Sequence, residues 1–349
     1  MHIHTRFIGG NIAVEKTENN TVYVERELRD TEGDWFYWAF CVEDTAGETI
    51  TFRFPSSCRV GRFGPAVSHD LENWHWLDRP CTGDSFTYTF GPDENKVYFA
   101  HNMLYPLGRF TDLCSRYGLT METLCTTLKG RNLPGVRFGS GDKWILLAAR
   151  HHACESTGSY VLEGVMETLL QKLPAEYSVL VVPYVDYDGV LDGDQGKNRF
   201  PHDHNRDYIE HPLYASVDYM MQFGRTHTIA YTMDLHSPWH QGAENDHVFL
   251  YLGNPDLLPL ARRFSAFFRE ESAALPMPYD ETCDHEPAPN WKNIVSHSCQ
   301  NYFGRLETSR LSMTLETPYF GLEESKVSQD GLVALGNALG RALLLCLET

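Results

Sequence analysis

Up to about residue 103 the apolar residues come in short bursts, at 21–24, 35–42, 51–54, 86–90 and 97–100. The bursts are rich in β-branched and aromatic side chains and are separated by Gly, Asp, Asn and Pro clusters, a pattern that predicts strands of a β-sandwich. From residue 104 the pattern changes. Apolar runs at 144–149, 178–185, 228–235 and 311–315 alternate with helical periodicity, first in Val161, Leu162, Val165, Met166, Leu169, Leu170 and Leu173 and again in Leu332, Leu335, Leu339, Ala342, Leu343 and Cys346. Alternating strand and helix signals predict an α/β layer with a mixed or largely parallel central sheet and helices on both faces. The expected organisation is therefore an N-terminal antiparallel β-sandwich domain, residues 1–103, followed by an α/β domain, residues 104–349. No repeat or low-complexity linker marks the boundary, which rests on the change of pattern alone.

Composition narrows the class. With 42% hydrophobic and 22% charged residues the chain is of ordinary globular type, and its 349 residues suffice for about two domains. The balance of 29 basic against 47 acidic residues gives a net charge of −18. Such a surface repels nucleic acid and anionic membranes, and no Lys/Arg run offsets it. No run approaches 18 apolar residues, and Met1-His2-Ile3-His4-Thr5-Arg6 lacks the build of a signal peptide. The expectation is a soluble, cytoplasmic protein without a nucleic-acid or membrane partner; nothing in the sequence bears on oligomeric state. Nine cysteines, odd in number and never arranged as CxxC, point to reduced thiols rather than a disulfide framework or a thiolate zinc site.

In open α/β sheets ligands bind beyond the carboxyl ends of strands, so polar residues just after the apolar runs are where chemistry is sought. The run 144–149 is followed by Arg150-His151-His152-Ala153-Cys154-Glu155, in which His152-x-x-Glu155 brings an imidazole and a carboxylate to one cation. The run 228–235 leads into His236, and His152, Glu155 and His236 together make a His₂Glu set with a fourth position open, the pattern of a hydrolytic rather than a structural zinc. Taken singly, each is as well explained as a core histidine or a solvated glutamate. The segment from Gly196 to Tyr208 carries Arg199, Asn205 and Arg206, whose donors suit a carboxylate, and His202-x-His204 offers a rival metal spacing. Glu316 ends the run 311–315, where partial desolvation would raise its pKa towards that of a general base; an ion-paired or helix-capping glutamate is the ordinary alternative.

In chain order, Ala149-Arg150-His151-His152-Ala153-Cys154-Glu155, Asp203-His204-Asn205-Arg206, Asp234-Leu235-His236 and Thr314-Leu315-Glu316 resemble the motifs of the zinc carboxypeptidases of the carboxypeptidase A type. More narrowly they resemble the cytosolic carboxypeptidase branch, with its ARxHPGE, GNxR, DLNR, DLH and TLE segments and its β-sandwich ahead of the catalytic domain. The resemblance implies a carboxypeptidase-like α/β domain. It implies one zinc ion on His152, Glu155 and His236, with Glu316 as general base. Arg199, matching the arginine of GNxR, would polarise the scissile carbonyl, and Asn205 and Arg206 would hold the terminal carboxylate of a peptide or protein substrate. Branch members remove acidic residues from protein tails, and Arg310, six residues before Glu316, is a candidate to receive such a side chain. Tyr302 is a candidate for the family's mobile tyrosine.

The chain departs from the family at Ala153-Cys154 in place of Pro-Gly, at His204 in place of the leucine of DLNR, and at Ser237-Pro238-Trp239-His240 after the second histidine. None of these removes a ligand or the base. Cys154 as a nucleophile is disfavoured because the adjacent metal motif already accounts for the position. The competing enzyme reading is a zinc-dependent N-acyl amino acid deacylase, which shares the ligand set and a similar clamp. A non-enzymatic reading is a catalytically inactive binding module, against which the retained Glu316 and Arg199 speak.

Overall fold

The computed structural model describes residues 1–56, 59–79, 83–287 and 296–348. Among the described residues nine strands precede residue 101: β1 (His2–His4), β2 (Ala13–Glu18), β3 (Thr21–Glu25), β4 (Ala39–Glu43), β5 (Thr49–Arg53), β6 (Ala66–Ser68), β7 (His75–Trp76), β8 (Ser85–Thr89) and β9 (Lys96–Ala100). They form a five-stranded sheet in the order β1-β4-β9-β6-β7 and a four-stranded sheet in the order β2-β3-β5-β8. The first sheet is antiparallel throughout, while the second contains one parallel pair, β3 with β5.

Side-chain alternation explains why some strands read as continuous apolar runs. In β4, Phe40 and Val42 point into the sandwich core beside Phe52, Phe86 and Phe99, whereas Ala39 and Cys41 face the larger core shared with the α/β layer. β9 divides likewise, Val97 and Phe99 to one side and Tyr98 and Ala100 to the other. The five-stranded sheet is thus covered on both faces, and such strands need apolar residues at every position. The apolar run 35–42 is a strand only from Ala39; Trp35 and Phe36 leave the sheet and run towards the α/β layer.

The second part begins with α1 (Leu107–Arg116) and carries a seven-stranded sheet in the order β10-β11-β13-β12-β14-β16-β15. These strands are β10 (Met121–Thr126), β11 (Asn132–Gly139), β12 (Lys143–Ala149), β13 (Tyr177–Val182), β14 (Thr228–His236), β15 (Phe249–Tyr251) and β16 (Leu311–Glu316). The central four, β13-β12-β14-β16, are parallel and the flanking pairs antiparallel, giving the expected mixed sheet. β13 stops at Val182 because Pro183 has no N–H for the ladder, so the expected run to 185 continues as a buried turn.

The helices are α2 (Thr157–Lys172), α3 (Tyr187–Asp192), α4 (Ala215–Thr226), α5 (Leu258–Ser272), α6 (Cys299–Phe303) and α7 (Gln329–Leu347). α7 is long and apolar enough to cross a membrane by length and composition, and here most of it is buried, packed against α2 and α5. Glycines permit that approach: a Cβ at Gly164 would collide with the Val333 carbonyl oxygen, and one at Gly336 with that of Val161.

Candidate active site

The parallel register sets the site. Ala149 of β12 pairs with Leu235 of β14, and His236 pairs with Glu316 of β16, so three neighbouring strands end together at their carboxyl edge. Arg150, at a left-handed φ of 62°, turns the chain out of the sheet and is held there by its Nε donating to the Ala153 carbonyl at 2.8 Å. The turn that follows, with the Glu155 amide donating to the His152 carbonyl at 3.2 Å, folds Glu155 back over the strand ends.

His152, Glu155 and His236 converge. His152 Nδ1 lies 2.8 Å from Glu155 Oε1, and His236 Nδ1 lies 2.8 Å from Glu155 Oε2. One donor atom from each side chain falls within 4.8 Å of the others, a nitrogen, nitrogen and carboxylate-oxygen set that fits zinc. The far ring nitrogens face carboxylates: His236 Nε2 is 2.9 Å from Asp234 Oδ2 and His152 Nε2 is 3.7 Å from Asp203 Oδ1. Carboxylates behind ligating histidines fix the ring orientation and raise ligand basicity. Asp234 is also contacted by His151, whose Nδ1 is 2.7 Å from Oδ1. No role for Asp203 or Asp234 follows from the sequence reading, although the spacing Asp234-x-His236 is a signal for such a partner.

The charges of the centre reinforce one another. Burial would raise the Glu155 carboxyl, but His152, Lys197 and His236 hold it well below the usual range. Burial would lower His236, but Asp234 and Glu155 hold its imidazole well above the ordinary value. Glu316 is pushed up to about 7 by burial and by the charge of Glu155, against the pull of His236 and Lys197. Its Oε2 is buried and has no protein hydrogen-bond partner. A carboxylate left in this state is suited to accept a proton from a reacting molecule.

A cleft of about 440 Å³ opens over these groups, lined by His152, Glu155, His236 and Glu316 together with Lys197, Asn205, Arg206, Trp35, Trp239, Glu244 and Tyr251. The Asn205 Nδ2 is 3.4 Å from His236 Nε2, and its Oδ1 accepts from the Cys299 amide at 3.0 Å. Arg206 is exposed, with Nη1 donating to the Asn205 carbonyl at 2.9 Å. Six of the seven site residues drawn from the sequence therefore meet in one cleft.

Arg199 does not join them. Its Nε is 3.1 Å from Asp30 Oδ2, its Nη1 2.8 Å from Asp186 Oδ2 and its Nη2 3.0 Å from Asp194 Oδ2, and it lines a separate cavity. Each of its three guanidinium nitrogens thus faces a carboxylate. Lys197, two residues earlier, enters the cleft instead, its Nζ 2.6 Å from Glu155 Oε1. Gly196 makes this possible: its φ is 77°, and a Cβ there would collide with the Ala153 amide, so only glycine lets the loop pass this close to the ligand turn.

The remaining candidates fall elsewhere. His202 pairs with Asp207 at 2.6 Å and His204 stacks on Tyr214 at 3.6 Å between centroids; among the described residues neither belongs to a group able to hold a metal. Arg310 is exposed at the opposite end of β16, over the Tyr231 ring, about 20 Å of strand from Glu316. Tyr302 packs on Tyr208 and Phe303 and does not line the cleft, whereas Tyr251 does. Cys154 is buried 3.6 Å from the Tyr319 hydroxyl, and burial pushes its thiol up to about 11, which leaves it a poor nucleophile.

No protein-family model matches the chain. The fold is similar to the crystal structure of a metallo-carboxypeptidase from Burkholderia cenocepacia, with a TM-score of 0.82, 18% identity, and coverage of 99% of this chain and 98% of that one. In sequence the chain is 25% identical over 340 residues to an uncharacterized protein of Zymomonas mobilis, covering 91% of this chain and 88% of the relative. It is 24% identical over 213 residues to cytosolic carboxypeptidase 2 of Xenopus tropicalis, covering 53% of this chain but only 22% of that much longer protein. The fold is thus that of metallo-carboxypeptidases, and in sequence the chain is similar to cytosolic carboxypeptidases.

Proposed function

We propose that the protein is a zinc metallocarboxypeptidase that removes a C-terminal residue from a peptide or protein. The observation that carries this reading is the meeting, at the ends of β12, β14 and β16, of a His₂Glu donor set with a buried, unpartnered carboxylate and an exposed guanidinium in one cleft. His152, Glu155 and His236 would hold the metal. Zinc bound by such a set acts as a Lewis acid, acidifying water and polarising a carbonyl.

The chain's own groups do the rest. Arg206 and Asn205 bind the terminal carboxylate, the arginine through its planar fork of donors, and so set which peptide bond reaches the metal. The Glu316 carboxylate accepts a proton from the attacking water as the water's oxygen bonds to the carbonyl carbon. The same proton passes to the leaving nitrogen as the C–N bond breaks, releasing an acid and an amine. Among the described residues seven cysteines are free thiols, and named relatives are cytosolic carboxypeptidases, both of which support action in the cytoplasm.

The test is mass spectrometry of a peptide library with acidic, basic, aromatic and γ-linked C-termini, incubated with zinc-loaded protein and with a His236→Ala control. Loss of single C-terminal residues by the intact protein alone is the expected result. With N-acyl amino acids assayed alongside the library, turnover confined to them would replace this reading with the deacylase one.

A further inference from the structure

We infer that Lys197, not Arg199, is the cation that stabilises the oxyanion in the carboxypeptidase reaction, an assignment that rests on the function proposed above. Arg199 is unavailable because Asp30, Asp186 and Asp194 engage its three donor positions outside the cleft. Among the described residues, Lys197 and Arg206 are the Lys and Arg side chains that line the cleft. Arg206 is exposed and lies beside Asn205, where it meets the substrate's terminal carboxylate, whereas the Lys197 side chain is only 7% exposed.

The surroundings of Lys197 suit a fixed positive charge. Its Nζ touches the ligand carboxylate Glu155 at 2.6 Å, approaches the Ser237 carbonyl at 3.5 Å, and lies over the Trp35 ring at 4.8 Å and the Phe36 ring at 5.7 Å. The aromatic rings exclude water while favouring a cation through their faces. The ammonium is therefore poised within one contact of the metal-binding carboxylate. Were Glu155 engaged by a metal, the ammonium beside it would be free to turn one N–H to the carbonyl oxygen as negative charge develops there. A preorganised donor in a water-poor site is most effective at that point. Lysine offers a point charge rather than a fork, so it binds one oxygen rather than clamping a carboxylate.

The experiment compares wild type, Lys197→Met and Lys197→Arg on a peptide cleaved by the wild type, with zinc content, zinc affinity and melting temperature measured on each. Lys197→Met should lose about 100- to 1,000-fold in kcat, with KM changed less than about threefold. It should still bind one zinc, at least as tightly as the wild type because a like charge beside the metal is gone. Lys197→Arg should recover most of the loss. A kcat within about threefold of wild type in Lys197→Met overturns the assignment, as does weakened zinc binding that accounts for the loss, which would make Lys197 only a support for Glu155. An inert wild type refutes the carboxypeptidase reading and this assignment with it; an active wild type with an unimpaired Lys197→Met refutes Lys197 alone.

Discussion

Glu316→Gln separates catalysis from stability at a single carboxylate. The substitution keeps the shape of the side chain and removes its ability to take a proton. Because Oε2 has no protein partner, no hydrogen bond is lost. General-base catalysis contributes about 100- to 10,000-fold, or about 3 to 5 kcal/mol of barrier, so kcat should fall by at least about 100-fold with one zinc still bound. Stability should move the other way. In the metal-free protein the Glu316 carboxyl is raised from 4.5 to about 7. Below pH 4.5 it is protonated in both folded and unfolded chains and costs nothing. Between pH 4.5 and 7 the unfolded chain loses the proton first, and above pH 7 the folded state bears a penalty of order 3 kcal/mol. Metal-free Glu316→Gln should therefore melt a few degrees above the metal-free wild type at pH 8 and level with it near pH 4.5. The assays are steady-state kinetics on the zinc-loaded proteins and thermal melts of the stripped ones. A kcat within about threefold of wild type would falsify the base assignment, and a melting difference independent of pH would refute the electrostatic account.

Zinc loading should release protons, since Asp234 and Glu155 hold His236 protonated above its ordinary range; titration calorimetry at pH 7 in buffers of different ionisation enthalpy should give different apparent heats, and identical heats would contradict this. Affinity for zinc should weaken as pH falls, beginning above the ordinary imidazole range, because the raised His236 imidazole must lose its proton to bind; zinc titrations across pH check this. Arg199→Met should be a folding defect rather than a selective catalytic one, as it strands the buried Asp186 and the nearly buried Asp30 and Asp194. Removing one partner of a buried pair costs about 3 to 5 kcal/mol, so a large drop in melting temperature is expected, and a normal melt with kcat alone reduced would return Arg199 to the active site.

Much of the fold is legible because its cues are local. Alternation along 21–25 and the apolar runs 144–149, 228–235 and 311–315 mark strands by residue type and spacing, and the ladder register confirms the last three as parallel neighbours. Shorter strands were not legible: β1, β6, β7 and β15 have two or three residues each, too few for a period to show. α6, with five residues, is too short for the same reason. Strand β2 escaped because all six of its residues are exposed, so burial leaves no mark on its sequence.

What the sequence determined by itself was the donor chemistry and its place at strand ends: His152, Glu155, His236 and Glu316 each follow an apolar run, and in a parallel sheet runs that end together deliver their next residues to one edge. The tertiary structure alone decided which way the loop residues face. Lys197 and Arg199 are two residues apart and both cationic, yet one enters the cleft and the other leaves it. The cause is remote in sequence: Asp30, 169 residues away, draws Arg199 outward, and the close pass of Gly196 against the 152–155 turn directs Lys197 inward. Periodicity reports what a residue's own element buries; the direction of a loop side chain depends on charges and close contacts that only folding brings within reach.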